Sequence, residues 1–336
     1  MSKAWKTGLT SVIALASMMS LAGCGQMSPS TTTTQVSTDV VSKPAVSLSK
    51  AKQIEKAIFD AIAAADEKKD PALLSPRVTG PELAIRTSQL NIEKQTNTND
   101  AKMVIPHTIR QRVLPIATGW PRAIVTITTT TDDQQSERLL VMRQPNGQQN
   151  YSLWGLVRLF SGVKLPKFEI PSIGTRQGTM EDSGLLMTPR EAVAAYASSL
   201  ENPTGDMPKK FSDDQFRKSL ADLVSSVDEG VKANKGEQHQ IFTPDYNSLA
   251  VVRSADGGDL VIAAINSEWT RSAGEGRTSG PASDAEKALF GNQEATATIR
   301  VEYTNVVALY IPPAGSKATI QAVGAERQPI SAEAVK

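Results

Sequence analysis

Residues 123–160 read AIVTITTTTDDQQSERLLVMRQPNGQQNYSLWGLVRLF. Three runs in this stretch, Ala123–Thr131, Leu139–Gln144 and Tyr151–Phe160, are rich in Val, Ile, Leu, Thr and aromatics, the residues that suit a pleated, half-buried surface. Asp132-Asp133 and Pro145-Asn146-Gly147 separate them with turn chemistry, and a fourth run, Met103–Ile116, precedes them. Strands that follow one another without intervening helices predict an antiparallel meander. This excludes the strand–helix alternation of a parallel sheet and sets the fold class as α+β.

Upstream of the strands the period changes. Ile54, Ile58 and Ile62 recur at i+4 with Ala51, Ala61 and Ala65 beside them, predicting an amphipathic helix from about Ser47 to Asp70-Pro71. A second helix is expected from Pro81, where proline suits the first helical position, toward Gln95. Downstream, 161–184 has little pattern and holds Gly162, Pro166, Pro171, Gly174, Gly178 and Gly184, which reads as a linker. Thr188-Pro189-Arg190-Glu191 then has the form of a capping box, opening a helix with Ala192, Val193 and Tyr196 that stops near Asn202-Pro203. Ser212 is the expected cap of a longer helix, with Phe216, Leu220, Leu223, Val224 and Val227 on one stripe, ending around Gly230. Strands are expected at His239–Thr243, Ser248–Arg253, Leu260–Arg271, Ala295–Tyr303, Val306–Ile311 and finally Ala318–Val323. Asp256-Gly257-Gly258 supplies a hairpin turn.

Each half therefore reads helix, helix, strands. The predicted organisation is two successive units, each a helix pair packed on an antiparallel curved sheet. They occupy 47–160 and 185–326, with 161–184 as linker and 327–336 as a tail.

The 336 residues include 40% hydrophobic residues, enough for real cores. Lys and Arg number 36 against 35 Asp and Glu, a balance that argues against a dedicated nucleic-acid binder. One cysteine excludes an intrachain disulfide framework, and two histidines leave few ways to build a metal site. No metal or cofactor is expected.

The N-terminus carries the sharpest signal. Lys3 and Lys6 precede an apolar stretch, Leu9–Met19, of the length typical of an export signal and too short for a permanent span. No Arg-Arg pair precedes it, which favours the general secretion route. The segment ends Leu21-Ala22-Gly23-Cys24, which is similar to the lipobox of bacterial lipoproteins. That resemblance implies cleavage of residues 1–23 and attachment of diacylglycerol to the Cys24 thiol. It places the protein at the extracytoplasmic face of the cell membrane, held by its lipid anchor. Residues 24–46 are dominated by Ser, Thr, Gln and Val and read as a flexible tether. Loss of Lys3 and Lys6 leaves a nearly neutral chain, with no net charge to press it against an anionic leaflet.

Two further resemblances concern the folded part. The order of elements looks like the cystatin-like or nuclear-transport-factor-two-like cone fold. Trp120-Pro121-Arg122, Leu139-Leu140-Val141 and Tyr151-Ser152-Leu153-Trp154, taken with the lipobox and the Thr188 capping box, are similar to an uncharacterised family of actinobacterial cell-envelope lipoproteins. That family brings no activity with it, so the resemblance implies location and architecture alone.

Chemical motifs are sparse. His107 follows Pro106 in an expected edge strand and His239 stands in Gln238-His239-Gln240, neither with a ligand at metal spacing. Ser47-Leu48-Ser49-Lys50 fits Ser-x-x-Lys, but the partner motifs of penicillin-recognising enzymes are missing, and a helix cap explains the serines. Asp132-Asp133 reads as a turn, Asp213-Asp214 as the first turn of a helix, and Asp256 with Asp259 as a hairpin lacking the other ligands of a calcium loop. Arg110 with Arg112, and Lys209-Lys210, read as solvated basic faces. Trp120, Trp154 and Trp269 lie in or beside strands, where they fill a core or line an apolar pocket. These readings favour a non-enzymatic lipoprotein that binds a protein partner or an apolar ligand at the cell envelope. A solute-binding lipoprotein of a transporter and an envelope hydrolase are the alternatives.

Overall fold

The structure, a computed structural model, describes residues 43–116, 119–132 and 136–336. The expected signal peptide, Cys24 and most of the tether lie outside these residues. So does Asp133.

Two helices open the described chain. α1 (Leu48–Lys68) is capped by the Ser47 hydroxyl, which accepts from the Lys50 N–H, and it buries Ile54, Ile58 and Ile62. α2 (Gly80–Thr96) follows, with Pro81 in its first turn. β1 (Ile109–Val113), β2 (Arg122–Thr128), β3 (Arg138–Gln144) and β4 (Ser152–Leu159) then form an antiparallel meander.

α3 (Pro189–Glu201) carries the capping box in full: Thr188 accepts from the Glu191 N–H, and the Glu191 carboxylate accepts from the Thr188 N–H. α4 (Gln215–Ala233) follows. It is capped by Asp214, whose carboxylate accepts from the Arg217 N–H, and not by the expected Ser212, whose hydroxyl bonds Thr319. A carboxylate two residues later is the better acceptor for the free N–H groups, and the Arg217 guanidinium holds it in place.

β5 (Glu237–Arg253) and β7 (Thr298–Ile311) each span two of the predicted strands. A bulge between Asp245 and Leu249 absorbs the break in β5 pattern. β6 (Asp259–Ser272) lies between them, and α5 (Asp284–Phe290) is a short helix the hydrophobic pattern does not announce. β8 (Gln321–Val335) runs well past the expected Val323, through residues set aside as a tail, because the full length of β7 offers it a pairing edge down to Thr298–Val335.

Among the described residues all eight strands form one sheet in the order β1-β2-β3-β4-β8-β7-β6-β5. The two runs meet at β4 and β8 through Arg158–Ala325 and Leu159–Gly324. Alternation along each strand then decides the layers. Ile124, Leu140 and Met142 pack on α1, while Val261, Ala263 and Val307 pack on α3. The opposite faces, including Val125, Val141 and Val157 from one run and Ile262, Val306 and Ala308 from the other, share a third core. The result is a helix layer, two strand layers back to back, and a second helix layer. Residues 161–184 carry no helix or named strand, yet isolated bridges at Pro115–Thr175 and Gln177–Val252 pin them to β1's end and to β5.

Candidate functional site

The stripe Phe216, Leu220, Leu223 and Val227 places apolar side chains on one face of α4 at helical spacing. In a packed domain such a stripe is covered. Here Leu220 alone is buried, Phe216, Val224 and Val227 are half-buried, and Leu223 is 44% exposed. The helix is pinned near its start by Asp214, which pairs with Arg217 and accepts from the Tyr196 hydroxyl at 3.1 Å. Along its length Gln238 donates to the Val224 carbonyl and to Asp228.

Beneath α4 lies a cavity of about 710 Å³, with Trp269 of β6, Tyr303 of β7, and Ala325 and Arg327 of β8 in its walls. α5 closes one side through Ala285 and Glu286. The size falls in the range of small-molecule sites, and polar and apolar residues share the lining about equally.

The polar groups in the wall are largely spent on one another. Glu286 accepts from Arg271, from the Tyr303 hydroxyl at 2.7 Å and from the Ala282 N–H at 2.8 Å. Burial acts to raise the Glu286 pKa, but these donors outweigh it and hold the carboxylate below its ordinary range. Burial, with Glu286 adjacent, pushes the Tyr303 phenol far up, so it acts as a neutral donor. Arg327 lies over the Tyr303 ring at 3.5 Å and donates from Nη1 to Ser267 and Asn305, both at 3.1 Å. Its Nη2 is shielded from solvent and has no hydrogen-bond partner. That donor is buried and so is not presented to the cavity; Lys102, Ser161, Gln215 and Ser219 are polar residues of the lining that stand outside this network.

The residues singled out by sequence take other places. Trp269 is 1% exposed, donates to Gln238 and also lines the cavity; Trp154 fills the core, and Trp120 stands 48% exposed. His107 precedes β1 and stacks on Phe59 at 4.7 Å, whereas His239 lies in the edge strand β5. Ser47 is the α1 cap, Asp132 is an exposed turn residue, and Asp213 is exposed. Asp256 accepts from Ser254, Tyr310 and Gly258 inside the β5–β6 hairpin. Asp259 is fully buried beside Arg253 at 3.3 Å, and burial pushes its pKa up to about 6. Lys209 pairs with Asp206 on the surface and Arg110 with Glu137. Arg112 is not on a solvated face, as expected from sequence, but makes a bidentate pair with the buried Glu55 of α1. Among the described residues no group of three or more His, Cys, Asp or Glu is placed to hold a metal ion, and no helix is long and apolar enough to cross a membrane. Arg327, Tyr303 and Glu286 were not visible as site residues; Glu286 stands in the unannounced α5 and Arg327 in the expected tail.

Fold and cavity together define an α+β protein with a half-open, helix-roofed cleft lined by both apolar and polar side chains. The chain belongs to the family described as Domain of unknown function (DUF8094), whose model matches residues 42–333. No curated protein and no solved structure matches it.

Proposed function

We propose that this chain is a membrane-anchored extracytoplasmic lipoprotein, joined through Cys24 to diacylglycerol, and that it is a non-enzymatic binder of an apolar ligand beneath α4. The observation that carries the ligand reading is the cavity of about 710 Å³ under a helix whose apolar stripe is only half covered. A ligand there completes the burial of Leu223 and Val227, worth about 25 cal/mol per Å² of apolar surface removed from water. Lys102 and Gln215 in the lining offer donors to an acceptor at the ligand's polar end. The concave cleft beside the stripe supports an apolar ligand over a protein partner. The lipobox and the export signal support the anchor. The repeated order of two helices and then strands, interrupted in the second half by α5 between β6 and β7, supports reading the halves as tandem copies of one cystatin-like unit.

Native mass spectrometry of the protein extracted from its host tests the ligand reading, with oleic acid as the probe for titration. A reproducible extra mass, and oleate binding weakened at least tenfold by Leu223→Asp, are expected. A bare protein that takes up no oleate would overturn it. Metabolic labelling with a fatty acid tests the anchor, since equal labelling of Cys24→Ser removes it.

A further inference from the structure

A second cleft, of about 490 Å³, lies on another part of the molecule, between the start of β2 and the middle of β5. Arg122, Arg143 and Arg176 converge on it. Among the described residues none of the three makes an ion pair, and no Asp or Glu lines the cleft. Arg122 lies over the Trp120 ring at 4.4 Å and Arg143 over Trp154 at 5.0 Å, so the two are held by aromatic faces and not by carboxylates. Asp245 acts on Arg143 from beside the bulge of β5, and Asp182, which accepts from Thr179 of the lining, is itself paired with Arg253. Three guanidinium groups without an ion pair in one cleft are unusual in a chain whose other described arginines are mostly paired.

The same end of the molecule exposes large apolar side chains. Trp120 lines the cleft and is 48% exposed; Ile170 is 59% exposed and Ile173 46%. The turn Ile170–Gly174 lies against Pro44 and Ile116: a Cβ on Gly174 would come within 3.3 Å of the Pro44 Cα and 2.5 Å of Ile116. Ala45 donates to the Pro115 carbonyl at 2.7 Å. The described chain therefore enters the fold at the rim of this cleft. Cys24 precedes Pro44 by about 20 residues, at most ~70 Å of extended chain. The segment between, 24–43, holds one acid and one base, Asp39 and Lys43, so it neither neutralises nor adds to the cluster.

We propose that this end, formed by Trp120, Ile170, Ile173 and the Arg122–Arg143–Arg176 cleft, docks on an anionic lipid surface. Guanidinium groups meet lipid phosphates bidentately, tryptophan settles at the level of the headgroups, and exposed isoleucines enter the boundary below them. The near-neutral net charge of the chain does not oppose this, because attraction to a leaflet acts over about a Debye length and depends on the local cluster. Docking orients the protein with the α4 cavity at a fixed aspect to the membrane, where the anchor alone leaves it free to turn. The inference rests on the Cys24 reading for its setting only, and its test dispenses with the anchor so that the two fail separately.

The full-length Cys24→Ser chain is mixed with vesicles of phosphatidylcholine alone or of phosphatidylcholine with phosphatidylglycerol, and binding is read by sedimentation. The expected result is binding to the anionic vesicles that weakens as salt is raised. Each Arg→Gln change at 122, 143 and 176 should reduce it about fivefold and the triple variant on the order of a hundredfold, from about 1 kcal/mol per basic residue at the surface. The leader carries Lys3, Lys6 and an apolar run that bind vesicles on their own, so the effect of each substitution is read as the difference among variants on one vesicle type. Ile170→Asp with Ile173→Asp, on an exposed turn, provides a second variant with no arginine altered, expected to weaken binding while the melting curve holds. Hydrogen exchange at 162–176 should slow on anionic vesicles. Binding that is equal on both vesicle types, or unchanged in the triple arginine variant and the isoleucine variant, overturns the proposal.

Discussion

Replacing Glu82 by Gln should stabilise this protein at neutral pH, although Glu82 sits in the core. Glu82 is on the first turn of α2, 2% exposed, and its Oε2 has no hydrogen-bond partner. Burial raises its pKa from 4.5 to about 8; Arg86 pulls the other way, while Glu326 and Asp66 add to the rise. A carboxyl whose folded pKa is raised keeps a proton that the unfolded chain has released, so stability falls as pH climbs between about 4.5 and 8. The slope is about 1.4 kcal/mol per pH unit, and the accumulated loss at pH 7 is about 3 kcal/mol. Glutamine has nothing to ionise, but its amide brings donors that find no partner, at about 1 kcal/mol. The net expectation is a gain of about 2 kcal/mol at pH 7, shrinking to nothing or a small loss near pH 4.5. Urea unfolding of both proteins at a series of pH values reads the difference, in which all other titrating groups cancel. A gap between the two that does not widen as pH rises would refute the reasoning, whatever its sign at one pH.

Three further outcomes are expected. Thr188→Ala removes the hydroxyl that accepts from the Glu191 N–H and should cost about 0.5–2 kcal/mol by denaturant titration, and Thr188→Ser should restore most of it. Arg271→Ala leaves the buried Glu286 without its ion-pair partner and should cost about 3–5 kcal/mol, whereas replacing both residues by Met should recover most of that loss in a double-mutant cycle. Gly80→Ala should lower the melting temperature more than a surface Gly→Ala change, because Gly80 has φ +60 and a Cβ there would stand 2.4 Å from the Trp154 ring; an unchanged melt would contradict that packing.

Many local signals were read from sequence where a residue acts on its own neighbours, although the α4 cap falls at Asp214 and not Ser212, and the Ser283 cap of α5 was missed. The i+4 isoleucines of α1, the Thr188 capping box, the Asp256-Gly257-Gly258 turn and the β2–β4 runs are all where their patterns place them. Signals that depend on distant partners were not. The Arg112–Glu55 pair joins residues 57 apart, so nothing near Arg112 announces that its face is covered. The cavity has the same character. Phe216, Leu220, Leu223 and Val227 were legible as a stripe, but that the stripe roofs an opening depends on Trp269, Tyr303 and Arg327 from three other strands.

The sequence by itself determined the class of fold, the helix pair ahead of each strand run, the Ser47 and Thr188 caps, the β5–β6 turn, and the absence of a cysteine framework. Those features follow from side-chain periodicity and from hydrogen bonds between residues a few positions apart. Tertiary structure alone decided that the two runs join at β4 and β8 into one sheet, that their inner faces share a core, and that β8 continues to Val335. Strand pairing costs no local signature: Arg327 and Ala332 read as tail residues until β7 supplies the carbonyl and N–H groups they must satisfy. The unmatched Nη2 of Arg327 and the unpaired arginines beside Trp120 belong to the same class, because a charge is free or spent only with respect to what the fold brings beside it.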